Sequence, residues 1–197
     1  MAGKKQFDVG IVLDAAMAQF WRAGYADTSV DDLSRATGLN RSSLYSSFGD
    51  KDALYLRCLD RYAARYGDSY DQALSRASEE PLQAVRAFFE VTLQRIADPD
   101  VPDGCLVAQT AMSSPALSPA IAARATEALG LQCARLRTAL GAAQLAEGDA
   151  DDFAVHLAAV NQSLAVMSRA GTSQKQLRSV VDISMRALSH AVPARSR

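Results

Sequence analysis

The chain has little with which to hold a metal. Its two histidines and three cysteines lie far apart, in none of the spacings that zinc ligands keep. Three cysteines in 197 residues also argue against a disulfide framework and for a reducing compartment. Charge of one sign is missing too: Lys+Arg number 21 against 22 Asp+Glu, a net −1. That balance excludes a polybasic nucleic-acid coat or a membrane-surface protein, while leaving room for a local basic face. No apolar run reaches membrane-spanning length. Lys4 and Lys5 precede an apolar stretch, but Asp8 and Asp14 interrupt it, so a signal peptide is not expected. The expected location is cytoplasmic. Glycine (11) and proline (6) are sparse, and no alternating strand pattern with hairpin turns is present.

What is present is helical periodicity. With 49% hydrophobic and 22% charged residues, the chain has the composition of a globular protein. The expected class is all-α. A helix over 7–23 carries Val9, Leu13, Ala16, Met17 and Phe20 on one stripe and stops at Gly24. Thr28 is expected to cap a short helix that ends at Gly38, with Asp31 three residues on. Asn40 caps a third helix, in which Leu44 and Phe48 share a buried face. Asp50 caps a fourth, from Lys51 to Tyr66, with Leu54, Cys58 and Tyr62 as its stripe. Beyond Gly67, helices are expected over 70–78, 81–96, 105–112, 119–145, 151–169 and 174–191. The stretch from Asp98 to Gly104 is a break, and Gly171-Thr172-Ser173 is a tight turn. Residues 1–50 form one expected domain and 51–197 another, with the Lys51–Tyr66 helix bridging them.

The informative segment runs from Thr28 to Lys51, TSVDDLSRATGLNRSSLYSSFGDK. Two short amphipathic helices meet at a glycine, the pattern of a helix-turn-helix. The second helix, opened by Asn40, turns Arg41, Ser42, Ser43, Tyr45 and Ser46 outward. Between Gly38 and Gly49 there is one arginine and no acid. A face that enters the major groove must exclude carboxylates, because phosphate repels them. Thr28, Ser29 and Lys51 stand at helix N-termini, where partial positive charge favours anions, and the Tyr45 hydroxyl can reach a phosphate. The segment thus offers positioning contacts at its edges and a base-reading strip in its middle.

Residues 13–67 resemble the DNA-binding domain of TetR-type (tetracycline-repressor-like) transcriptional regulators. The resemblance rests on Phe20 with Gly24-Tyr25, then Thr28-Ser29-Val30, Gly38-Leu39, Ser43-Leu44-Tyr45, Phe48 and Lys51. It implies an all-helical homodimer with an N-terminal helix-turn-helix domain and a larger C-terminal helical ligand-binding and dimerisation domain. Such a protein binds a palindromic double-stranded operator through the Asn40–Phe48 helix and is released by a small-molecule effector. The resemblance places the phosphate-contacting tyrosine at Tyr45, the helix-four lysine at Lys51, and base contacts at Arg41, Ser42, Ser43 and Ser46. It implies repression, no cofactor and no enzymatic activity.

The C-terminal part matches more loosely, and its residues read two ways. Cys105 follows Asp103-Gly104 at a helix start; it is either a redox or electrophile sensor or a small buried packing residue. Cys58 and Cys133 lie on helical stripes and read as packing. Phe89, Gln109 and His156 are candidate ligand contacts, although Phe88-Phe89 suits a core helix equally well. Leu157, Val160 and Leu164, with Leu177, Val181 and Leu188, form apolar faces on the last two helices. These suit either a dimer seam or packing within the chain, and the resemblance tips the choice to the seam. Two further readings compete: an enzyme with Cys105 as nucleophile and His156 as base, for which no orienting third group is found, and a helical adaptor that binds no DNA.

Overall fold

Asp8 opens the first helix, α1 (Val9–Ala23), by accepting from the backbone N–H groups of Gly10 and Ile11. The structure, a computed structural model, describes residues 7–143, 145–146 and 148–192. Val12, Ala16, Met17, Phe20 and Trp21 form the buried face of α1. Val9, expected on that face, is 48% exposed, and Val12 takes its place. Lys4 and Lys5 lie outside the described residues.

Next come α2 (Val30–Thr37), α3 (Arg41–Phe48) and α4 (Lys51–Leu74). Ser29, not Thr28, caps α2: its hydroxyl and the Asp32 carboxylate close a reciprocal capping box. Thr28 is fully buried, and its hydroxyl donates to the Gly24 carbonyl at 2.6 Å. Asn40 and Asp50 cap α3 and α4 as expected, accepting from Ser43 and Ala53 N–H at 2.8 Å each.

The fourth helix does not stop near Gly67. It runs on to Leu74, so the separate helix expected over 70–78 is its final turns. Gly67 is buried inside it. A side chain there would lie 2.9 Å from the Arg135 guanidinium, so this glycine answers to a neighbouring helix rather than to a turn.

The remainder comprises α5 (Pro81–Ala97), α6 (Leu106–Met112), a single 3₁₀ turn at Ser114–Ala116, α7 (Pro119–Leu140), α8 (Asp149–Arg169) and α9 (Gln174–Ala191). Proline opens α5 and α7 at the first helical position, where its missing N–H costs nothing. Cys105 caps α6 from outside, and Ser173 closes a capping box with Gln176 at the start of α9. Among the described residues there is no strand, and no helix is long and apolar enough to cross a membrane.

Two apolar clusters organise the packing. The first joins α1–α4 and also takes Leu106, Val107 and Ile121 from α6 and α7. The second holds Val85, Phe88, Phe89 and Leu93 of α5 between Leu136 and Leu140 of α7 and the inner faces of α8 and α9. Leu157, Leu164, Leu177, Val181 and Leu188 all belong to this second cluster and are at most 2% exposed; half-buried Val160 packs against it. These residues are therefore not a dimer seam. The stripes that looked free in sequence are closed by α5 of the same chain, each buried leucine contributing roughly 1.5–3 kcal/mol. The opposite faces of α8 and α9 expose Val155 (57%), Val166 (47%) and Ile183 (57%). A buried chain of hydrogen bonds, Tyr70 to Thr92 to Asn161, each 2.7 Å, ties α4, α5 and α8 through this cluster.

Candidate nucleic-acid interface and internal cavity

The α2–α3 turn depends on Gly38, whose φ of +70° lies in the left-handed region. No atom stands within 4 Å of where its Cβ would be, so backbone conformation rather than space selects glycine here. Leu33, Leu44 and Phe48 are at most 3% exposed and fix the angle between the two helices. This leaves the other side of α3 to solvent.

That side carries Arg41, Ser42, Tyr45 and Ser46, all exposed, with Asn40 at its head and Ser43 half-buried. Tyr45 is an exposed large ring, 44% accessible, on a helix of eight residues. The cap bond uses the Asn40 carbonyl oxygen, so its amide NH₂ points elsewhere. The Ser46 hydroxyl rests on the Ser43 carbonyl at 3.2 Å. One acid does reach the strip from outside it: Asp31 of α2 pairs with Arg41 at 3.1 Å, with both side chains more than 60% exposed. An exposed pair of this kind is worth little and can be exchanged for a phosphate or a base edge.

At the edges the expected contacts divide. Ser29 is exposed, though its hydroxyl is engaged with Asp32 at 2.5 Å. Buried Thr28 has no hydroxyl to offer a phosphate, which corrects its expected role. Lys51 is half-buried, with its ammonium 4.2 Å from the centre of the Tyr25 ring. Burial lowers its pKa against the opposing pull of Asp52 and Asp27. Tyr25 donates its hydroxyl to Asp52, and burial, reinforced by that carboxylate, raises the phenol well above its usual range. The ring is thus a fixed platform under the lysine, a role that the sequence marked only as part of a Gly-Tyr pair.

A cavity of about 260 Å³ opens between α4 and α7. Tyr62, Tyr66 and Tyr70 line it from successive turns of α4, with Cys105 and Val107 from α6 and Ala128, Leu129 and Gln132 from α7. Trp21 stands edge-on to Tyr62 and Tyr66 at 5.0 and 6.3 Å, and its indole N–H donates to the Asp103 carbonyl at 3.1 Å. A second groove of about 260 Å³ runs between α6 and α8 and shares Cys105. Gln109 lines this groove and accepts from Arg169 at 2.9 Å. Arg169 also donates to the carbonyls of Trp21 and Arg22 at 3.2 and 3.0 Å, which ties the end of α8 to the end of α1.

Of the expected ligand contacts, Cys105 and Gln109 thus stand at cavities. Phe89 is wholly buried in the second cluster, and His156 is exposed on α8 and lines neither cavity that Cys105 lines. Nothing joins His156 to Cys105 as base and nucleophile. Cys58 is buried, and burial pushes its thiol up to about 12. The tyrosines, Gln132 and Gln162 went unnoticed as lining because they come from three separate helices.

Residues 12–58 match the family model described as bacterial regulatory proteins of the tetR family, and residues 81–184 match the tetracyclin repressor-like C-terminal domain. The HTH-type transcriptional repressor ComR of Escherichia coli (strain K12) is 34% identical over 103 residues, covering 52% of this chain and 49% of ComR. The uncharacterized HTH-type regulator YezE of Bacillus subtilis (strain 168) is 30% identical over 115 residues, 57% of each chain. The chain thus spans about half the length of these curated relatives. A cysteine mutant of the TetR-family regulator CifR, solved with 26-bp double-strand operator DNA, superposes with a TM-score of 0.81 at 28% identity, covering 93% of this chain and 98% of that one. Escherichia coli NemR in its reduced form shares the fold, with a TM-score of 0.79 at 18% identity over 94% of this chain and 97% of NemR. With both its helix-turn-helix and its C-terminal helices matched, the chain belongs to the TetR family of bacterial regulatory proteins.

Proposed function

We propose that the protein is a dimeric repressor that reads a palindromic operator with α3 and lets go when a small molecule enters its C-terminal helices. The observation that carries this reading is the exposed side of α3, where hydroxyls, one amide and one arginine stand clear of the core and Lys51 is held at the flank. The CifR relative solved on operator DNA supports it. Two reading heads on a symmetric dimer would meet half-sites about one helical turn apart, or a multiple of it. The seam would use the outer faces of α8 and α9, where Val155, Val166 and Ile183 are exposed. Ligand would act through α4, which lines the cavity and begins at Lys51. It would do so only by binding the free and DNA-bound arrangements with different affinity.

Selection of bound duplexes from a random pool tests the reading, followed by titration across salt. A palindrome should emerge, with affinity falling steeply as salt rises. Arg41→Ala should cost about 1–3 kcal/mol and relax preference at one position per half-site, whereas Lys51→Ala should weaken all duplexes alike. Equal, salt-insensitive binding to operator and random DNA would overturn it.

A second reading has one observation in its favour: the half-buried Cys105 thiol is shared by both cavities. On that reading an electrophile controls release. N-ethylmaleimide would bond one alkene carbon to sulfur while the other takes the thiol proton. DNA release by the reagent, lost in Cys105→Ser, supports it; release that persists in Cys105→Ser removes it.

A further inference from the structure

The α4–α7 cavity has a chemistry of its own, and the following rests on the ligand-controlled reading above. Two ion pairs frame its mouth. Arg124 meets Asp60 at 2.5 Å and Arg135 meets Asp71 at 2.6 Å. Eleven residues separate the two partners on each helix, three turns or ~16 Å. The carboxylates near the opening are therefore neutralised.

Behind the tyrosine wall lies a cation that is not. Arg95 is 6% exposed, with its guanidinium 5.5 Å from the Tyr66 ring centre and 5.6 Å from that of Trp21. It donates to the Gly104 carbonyl. Its Nε has no hydrogen-bond partner and it meets no carboxylate among the described residues. The groups whose electrostatics it feels most, Tyr62, Cys105, Tyr70 and Tyr66, all line the cavity. A guanidinium stays charged when buried, and a buried charge without a counter-ion is costly. The cavity can receive the missing partner.

Shape narrows the ligand further. Tyr62, Tyr66 and Tyr70 recur every four residues along one face of α4, while Ala128 and Leu129 form the wall opposite. Aromatic rings prefer offset or edge-on partners. The volume, about 260 Å³, is that of about nine waters at ~30 Å³ each and lies below the usual range for drug-sized ligands. Tyrosines can also cage a cation, but Arg95 already occupies the Tyr66 ring and would repel a second positive charge.

We infer that this cavity binds a small planar aromatic anion, an arenecarboxylate of one or two rings, between the Tyr62–Tyr66–Tyr70 stripe and Ala128–Leu129, with its carboxylate towards Arg95.

Calorimetric titration of the full chain without DNA tests this with benzoate and 2-naphthoate. Benzyl alcohol, benzylamine and cyclohexanecarboxylate serve as neutral, cationic and non-aromatic counterparts. The sole tryptophan, Trp21, reports benzoate at the tyrosine wall through its emission. The aromatic carboxylates should bind at least tenfold more tightly than each counterpart, with a saturable change in emission. Arg95→Met should reduce the preference for benzoate over benzyl alcohol to under threefold. Should that variant fail to fold, Ala128→Phe, which fills the slot, should abolish binding with its thermal transition retained. A counterpart that matches benzoate, absence of binding by either carboxylate, or undiminished binding in folded Ala128→Phe overturns the inference. Because no DNA is present, loss of the DNA-reading proposal leaves these affinities untouched. Benzoate that binds here without shifting operator affinity upholds the ligand class and removes only the release mechanism.

Discussion

Helices α2 and α3 have eight residues each and bury only Leu33 in one and Leu44 and Phe48 in the other, whereas α8 and α9 have 21 and 18 residues and bury six and five. Helices of eight residues are far below the length that is stable alone in water. Those of the reading head are held by devices at their ends: Ser29, Asn40 and Asp50 as caps, and Gly38 and Gly49 at the stops. The longer helices are held along their sides. The reading head can therefore present almost a whole helix face to a partner, while the C-terminal helices keep their binding space inside.

The largest test of this contrast asks whether the two regions unfold apart. Phe20→Ala strikes the first cluster and Phe89→Ala the second, and both phenylalanines are fully buried. Each should cost about 3–5 kcal/mol. Since Leu106, Val107 and Ile121 enter the first cluster, urea unfolding followed by Trp21 emission and by far-ultraviolet circular dichroism should give coincident midpoints in both variants. Separate midpoints would make the head an independent module.

Glycine replacement sharpens the contrast at an intermediate scale. Gly38→Ala forces a side chain into left-handed backbone and should cost about 1–2 kcal/mol. Gly67→Ala relieves a helix-interior glycine, a gain of about 0.5–1 kcal/mol, but drives the Arg135 guanidinium aside. Its net stability change should be near zero, with the Arg135–Asp71 pair disturbed. Thermal melts of the two variants compare turn with flank directly.

The smallest effect is in acid. Asp14 of α1 accepts two hydrogen bonds from Arg61 of α4, at 2.6 and 2.7 Å, and these hold its carboxyl below the model value of 3.8. A depressed carboxylate contributes its stability above that unfolded value and loses it as pH falls through the lower, folded one. Both side chains are more than a third exposed, so the contribution is about 0.2–1 kcal/mol. Asp14→Asn should destabilise at neutral pH by that amount, and the difference from the parent should shrink below about pH 4 in urea titrations.

End-devices are local, which is why the head was legible in the sequence. The Asn40 and Asp50 caps, the Gly38 turn and the Leu44–Phe48 pair are all readable within a few residues of one another. For the same reason α9 falls on the expected 174–191, behind its turn and Ser173–Gln176 box. The misreadings came from partners distant in the chain. Thr28 and Ser29 are both good caps, and burial of Thr28 onto Gly24 decides between them. Gly67 looked like a stop because Arg135 is 68 positions away. The stripes of α8 and α9 looked free because α5 covers them. The cavity was invisible for the same cause: its tyrosines gain a shared purpose only when α7 lies opposite.

Arg169 has a practical consequence. From the last turn of α8 it supplies donors to the final carbonyls of α1, almost 150 positions earlier. Those carbonyls sit where a helix has exhausted its own N–H groups. Anyone who excises the first fifty residues as a portable operator-binding cassette would also cut away the screw that secures its opening helix.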